Sequence, residues 1–310
     1  MVLLYIPPVQ NLLRREVTAY ASKATGMQIQ VERIDLRFPL NLLVRGVEVI
    51  QQPDTLLSLE SLNVRVQAWP LLKGKVEVDE VTLSQVAVNS ANLIEGMQIK
   101  GVLGRFFLQS HGVDLSNETA VVNRTELSDT HIQLLMTDTT TTPKDTTASA
   151  PVNWKVNLHQ LKLKNVSFGM KLPADSMKMA AYIGEATIDD AKADLKNQFY
   201  GLKQFLLSGA SASYDTGEAQ PSEGFDASHM AVRNIRIGLD SLLYEGRNMN
   251  AVIREITMEE RSGLSITSLT GRLFSNDSII RIPELKLQTP HSEIDLSLIH
   301  ISEPTRPEPI

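Results

Sequence analysis

Acid–base or metal chemistry near neutral pH would fall first to the six histidines, His111, His131, His159, His229, His291 and His300. They are scattered, with no HExxH pair and no two at ligand spacing, so no metal site is expected. Adjacent carboxylates stand at Asp189-Asp190 and Glu259-Glu260. On a strand such neighbours point to opposite faces, which argues against a shared proton. Gly101 to Gly104 (GVLG) lacks the spacing of a dinucleotide or Walker loop and is read as a turn. The chain has no cysteine, which removes disulfides, thiolate nucleophiles and cysteine-ligated zinc together. Asn117, Asn123, Asn165 and Asn276 open glycosylation sequons by pattern only. No catalytic, metal or cofactor residue emerges, and the sequence predicts a protein that is not an enzyme.

Composition points to a globular chain with an unusual interior. Of its 310 residues 42% are hydrophobic and the formal charge is -6, but aromatic residues make up only 5%. Aliphatic side chains must therefore supply nearly all apolar packing. The 30 basic and 36 acidic residues form no basic stripe with interleaved rings, so nucleic acid is not an expected partner.

The elements that would position these side chains are read from periodicity. Val2, Leu3, Leu4, Tyr5 and Ile6 precede Pro7-Pro8 and are far short of the roughly 20 apolar residues a bilayer span needs. Residues 1–7 are read as the remnant of a membrane anchor. Val9, Leu12, Leu13, Val17, Tyr20, Ala21 and Ala24 recur at helical spacing, with Gly26 placed to cap, so 8–26 is expected to be an amphipathic helix. From Met27 the period changes to two.

One spacing recurs four times: apolar-x-apolar-x-x-apolar-x-apolar. Ile29, Val31, Ile34 and Leu36 carry it, as do Val76, Val78, Val81 and Leu83, continued by Val86 and Val88. Val156, Leu158, Leu161 and Leu163 repeat it, continued by Val166 and Phe168, and so do Ile280, Ile282, Leu285 and Leu287. Each pair lies on one sheet face, but the three-residue step between pairs flips the face unless a bulge or corner absorbs a residue. Bulged, bent strands follow over 27–298, interrupted by polar loops near 137–151 and 215–229. The segment 191–207 fits either period and is assigned to strand. The fold class expected is mainly β, an elongated, curled and twisted sheet behind one short helix.

The wording of several segments resembles the TamB family of AsmA-like, chorein-type bridge proteins. The match is strongest in VERIDLRFPLNLLVRGVEV (Val31 to Val49), DTLLSLESLNVRV (Asp54 to Val66) and WPLLKGKVEVDEVTLSQVAVN (Trp69 to Asn89). LLYIPPVQ (Leu3 to Gln10) resembles the exit of that family's inner-membrane anchor, and LKLQTPHSEIDL (Leu285 to Leu296) resembles one of its strand repeats. The resemblance implies a β-trough in the periplasm, tied to the inner membrane through its N-terminus and passing phospholipid acyl chains toward the outer membrane. It also permits a second role, in which an open sheet edge pairs with an outer-membrane barrel assembly protein of the TamA type. The recurring pairs above would line the groove. The family's chains are much longer, so truncation at both ends is expected, and the proline-broken residues 299–310 are read as an unstructured, foreign tail.

Elementary energetics frames what the pattern needs. After residue 26 no long amphipathic helix remains to cover the apolar face, so the sheet must close on itself as a sandwich or barrel, or else cup an apolar ligand.

Overall fold

The computed structural model describes residues 7–67, 77–90, 93, 96–114, 117–136, 153–217 and 220–302. Val76, the anchor residues Val2 to Ile6 and the loop 137–151 lie outside that set, as does the tail beyond 302. Helix α1 spans Pro7–Thr25. Its first residue is proline, whose missing N–H is no loss in a first turn, and Lys23 sits near the carbonyl end. Gly26, at φ 70°, ends it by donating its N–H to the Ser22 carbonyl at 3.0 Å. Tyr20, expected on the apolar stripe, stands exposed at 77%.

The rest is strand: β1 (Gln28–Arg37), β2 (Asn41–Gln51), β3 (Asp54–Val66), β4 (Val78–Asn89), β5 (Met97–Asp114), β6 (Thr119–Met136) and β7 (Lys155–Leu172). A short 3-10 turn at Pro173–Asp175 leads to β8 (Met177–Asp194), β9 (Phe199–Leu202), β10 (Gln204–Asp215), β11 (His229–Glu245) and β12 (Asn248–Glu260). Then come β13 (Ser265–Ser275), β14 (Ile279–Gln288) and β15 (Glu293–Ser302). All belong to one 15-stranded sheet in sequence order, with β9 alone off the path. Neighbours pair antiparallel except β6 and β7, which are parallel. The molecule is thus a mainly β, curled, open sheet whose first and last strands do not meet.

Three expectations need correction. GVLG is no turn: Gly101 pairs with Val88 and Ile132 in the middle of β5, and Gly104 gives room for β6 to come close. The sheet does not stop at 298, because β15 continues to Ser302 by pairing with β14 as far as Ile279. Asp189 and Asp190 do not alternate faces, for a reason taken up below. Strand was the assignment for 191–207, and β8, β9 and β10 occupy it. The polar loop 215–229 runs from the last residue of β10 to the first of β11.

The edge strand β1 is held by α1. The Arg14 guanidinium donates to the Glu32 carbonyl at 2.6 Å, and the Ile29 N–H donates to the Ser22 hydroxyl at 3.0 Å. These are backbone groups that β2 leaves free, and capping them blunts an edge that would otherwise template pairing. Among the described residues no helix is long and apolar enough to cross a membrane.

Candidate functional site

Residues directly opposite across strands share a face, so the pairing register traces each face through the sheet. Starting at Ile34, the partners are Val44, Leu62, Leu83, Phe106, Leu127 and Leu163. From Leu163 the row continues through Ala186, Leu207, Ile237, Ile256, Leu269, Leu287 and Ile294. Every strand on the main path contributes one residue, and each is apolar. Beside it runs Leu36, Leu42, Val64, Val81, Leu108, Thr125, Leu161, Ile188, Phe205 and Leu239. On its other side Val31 and Val86 share a row with Val166, and Ile29 and Val88 share one with Phe168. Val156 and Leu158 pair with Ala193 and Ala191. Ile280, Ile282, Leu285 and Leu287 pair with β15, and Leu287 stands in the long row itself.

The next row outward has the opposite character. Arg33, Arg45, Ser61, Ser84, Arg105, Ser128, Lys164, Glu185 and Ser208 follow one another without an apolar residue. One face is aliphatic and the other mainly polar, with Leu43, Phe107 and Leu206 as apolar residues in its next row.

Two creases keep the aliphatic set together. The first passes through Glu32, Gly46, Glu60, Gln85, Gly104, Asp129, Asn165, Gly184 and Gly209 to Asn234, each skipped by the pairing while the register on both sides is kept as far as β8. Gly46, Gln85, Asp129, Asn165, Gly209 and Asn234 there have φ between 49° and 62°, the left-handed region. A left-handed residue turns the chain, so two successive side chains fall on the polar side and alternation resumes in the opposite phase. Lys164 and Asn165 are such a pair between Leu163 and Val166. Each x-x of the recurring spacing is one crossing of a crease.

The second crease passes Asp79, Ser110, Asn123, His159, Asp190, Lys203, Asp240 and Glu284, where pairs are skipped or the register shifts. Asp190 has φ 50°, and this turn puts Asp189 and Asp190 on one side. They keep different partners: Asp189 accepts from Gln160 at 3.1 Å, whereas Asp190 lies 3.2 Å from His159 Nδ1 and 3.6 Å from Lys203 Nζ. The hydrogen bond from His159, helped by Lys203, holds the Asp190 carboxyl below its usual range. Among the described residues no group of three or more His, Asp or Glu is placed to hold a metal ion.

No layer covers the aliphatic face. The described residues contain six buried apolar side chains, four of them alanines, and no large side chain is fully buried. Val88, Ile132 and Phe168, in one row, are 37%, 40% and 40% exposed. Concavities occur elsewhere on the sheet. A cleft of about 720 Å³ is flanked by His131, Ser167, Tyr182 and Ser211 on one side and Gln133, Gly169, Ala180 and Ser213 on the other, with Ile132, Phe168, Ala181 and Ala212 between them. A second of about 480 Å³ adjoins it. The aliphatic face is a broad open surface, not a pocket.

Sequence reasoning named four strands of the lining. It missed the partners on the others, such as Val44, Phe106, Leu127, Ala186, Leu207 and Ile256. Their signal was present, since Val44-x-x-Val47, Leu103-x-x-Phe106 and Ile183-x-x-Ala186 repeat the three-residue step. Alanine and threonine at some positions, as in Leu207-x-x-Ala210 and Leu127-x-x-Thr130, disguise it.

Neither a protein-family model nor a curated protein matches the chain. The class that fold and site define is an open, twice-creased β-sheet with one continuous aliphatic face.

Proposed function

We propose that the aliphatic face carries the acyl chains of phospholipids, and that the chain acts without catalysis as part of a periplasmic bridge between inner and outer membranes. The observation that carries this reading is the continuous apolar row running from Ile34 to Ile294, buried at Ile34 and Ala186, mostly half-buried between and exposed at Ile294, with no second layer of the described residues packed on it. Exposed apolar surface on this scale marks an interaction site. Each buried methylene contributes about 0.8 kcal/mol, so a sixteen-carbon chain leaving such a surface for water loses roughly 12 kcal/mol. A transfer path must therefore offer apolar contact at every step, and a row with one aliphatic residue per strand does so at about 4.8 Å intervals. The segments of this chain that resemble the TamB family support the membrane setting, with the N-terminal residues at the inner membrane.

The test is purification from a Gram-negative host, organic extraction and mass spectrometry, with Leu163→Glu beside the wild type. Co-purified phospholipid that is lost in the variant, while a cooperative thermal melt is retained, is the expected result. A lipid-free wild type, or a variant that no longer folds, would make the row an ordinary packed core.

A second reading is scaffolding of outer-membrane barrel proteins by strand pairing, with a partner of the TamA type. It is favoured by the asymmetry of the edges: α1 holds β1, whereas the outer edge of β15 has no strand partner among the described residues. Proline in β15, as Asp295→Pro, should abolish partner binding under this reading and leave lipid occupancy unchanged.

A further inference from the structure

The cleft of about 480 Å³ is lined by three lysines, Lys100, Lys171 and Lys178. Lys171 and Lys178 are register partners one pair away from the end of the β7–β8 hairpin, so two like charges stand directly opposite each other. Such an arrangement is destabilising unless something relieves it. None of the three has a carboxylate at ion-pair distance among the described residues; the lysines that do are Lys155, Lys203 and Lys286. Asp215, the register partner of Lys178 on β10, lines the same cleft, so three lysines stand there with one carboxylate in a chain of net charge -6. On its outer strands the cleft takes Gln98 and Lys100 without Ile99, and Ser213 and Asp215 without Tyr214, while Leu134, Leu135, Met170 and Met179 give it an apolar wall between them. Gly169, Ala180 and Ser213 are the small residues of the lining.

A third concavity, of about 600 Å³, shares Lys178 and Asp215 with it and reaches Pro173 and Ser176 in the hairpin turn. The concave path therefore runs from the lysines to the rim of the sheet. At that rim Met170 pairs with Met179, one residue from each lysine, and both methionines also line the cleft. We propose that the rim cleft formed by Lys100, Lys171 and Lys178 binds the phosphate of an anionic phospholipid headgroup, with the lipid straddling the β7–β8 turn and its acyl chains on the aliphatic face. This rests on the reading of the aliphatic face as an acyl-chain path, and it selects lipids with net negative headgroups. Lysine ammoniums on long stems suit this role, since they reach around a rim while their methylenes stay on apolar surface.

The experiment is calorimetric titration of the full chain with dihexanoyl phosphatidylglycerol, dihexanoyl phosphatidylcholine and inorganic phosphate. The phosphatidylglycerol is expected to bind roughly tenfold more tightly than the phosphatidylcholine at low ionic strength. The preference should vanish in Lys171→Gln/Lys178→Gln, whose exposed side chains can be exchanged without unfolding, and in 0.5 M salt. Leu163→Glu should weaken both lipids equally and leave the preference intact. Equal affinities in the wild type, or a preference that survives the double substitution, would overturn the lysine site while the acyl path stands. Inorganic phosphate binding as tightly as the phosphatidylglycerol would overturn it in favour of free phosphate. Failure of both lipids to bind would remove the acyl path itself.

Discussion

The two creases bend the same sheet by different chemistry. The first is built largely from the backbone: glycines at 46, 104, 184 and 209 stand with the left-handed residues Gln85, Asp129, Asn165 and Asn234, and at Gly104 and Gly184 the neighbouring backbone lies too close for a Cβ. The second is built from charge, with His159 and Lys203 on Asp190, Arg254 on Asp240 and Arg272 on Glu284, all substantially exposed. At the first crease the geometry is fixed by what cannot fit there. At the second it is held by pairs that water and salt weaken. The difference makes the first crease the stiff fold line and the second the compliant one.

The largest effect should come from filling the first crease. A Cβ on Gly184 would lie 2.9 Å from the Gly209 carbonyl oxygen and 3.0 Å from that of Ser208, both backbone atoms that cannot move aside alone. Gly184→Val is expected to cost about 3 kcal/mol, a large part of a domain's stability, and denaturant melts measure it. A loss under 1 kcal/mol would mean that the strands are not held together at this line. Gly209→Ala should cost less, about 1 kcal/mol, since its Cβ has room, with Gly184 Cα at 3.8 Å, and the penalty is the left-handed φ of 62°.

Within the first crease, a non-glycine residue can be tested in the stabilising direction. Gln85 has φ 49° without the local hydrogen bonding that lets Asn and Asp occupy this region. Gln85→Gly should raise stability by about 0.5 kcal/mol, the relief of the left-handed conformation less the added chain entropy. Asn165→Gly should lower it instead, because Asn165 Nδ2 donates to Asp129 Oδ1 at 2.7 Å across the parallel pair β6 and β7. If both substitutions move the thermal midpoint the same way, conformation alone governs the crease.

The same contrast explains what the sequence revealed. Apolar periodicity is written in side chains, so the aliphatic pairs, the strand class and the need to absorb a residue at each three-residue step could all be read from Val156 to Phe168. The line along which those residues are absorbed could not. It depends on which residue of the x-x takes a positive φ and on registers between strands far apart in the chain, as where Val31 and Val47 meet across Gly46. A glycine such as Gly104 carries no local mark distinguishing a turn from a close approach of two backbones, so from sequence alone GVLG reads as a turn. Charges at the second crease are equally silent, since His159, Asp190 and Lys203 are brought together only by the pairing of β7, β8 and β10.

The smallest effect is expected at that second crease. Asp190 sits at φ 50° and holds two cationic partners, yet its side chain is 46% exposed, as His159 and Lys203 are more so. Its carboxyl is held below the ordinary range, first by the hydrogen bond from His159. A depressed carboxylate contributes stability that is present above the unfolded value and lost as pH falls through the folded one, so the contribution should fade only in acid, below about pH 4. Asp190→Asn keeps the tolerance for a left-handed φ and removes only the charge. It should therefore shift the thermal midpoint slightly at neutral pH and low salt, by less and less as pH falls below about 4, and hardly at all in 0.5 M salt. Asp190→Ala should cost more than Asp190→Asn under every condition, because it adds the backbone penalty that salt cannot screen. If the two variants instead behaved alike and both lost their effect in salt, charge alone would hold the second crease. If neither responded to salt or pH, the pairs seen there would contribute nothing, and both fold lines would be backbone features of one kind.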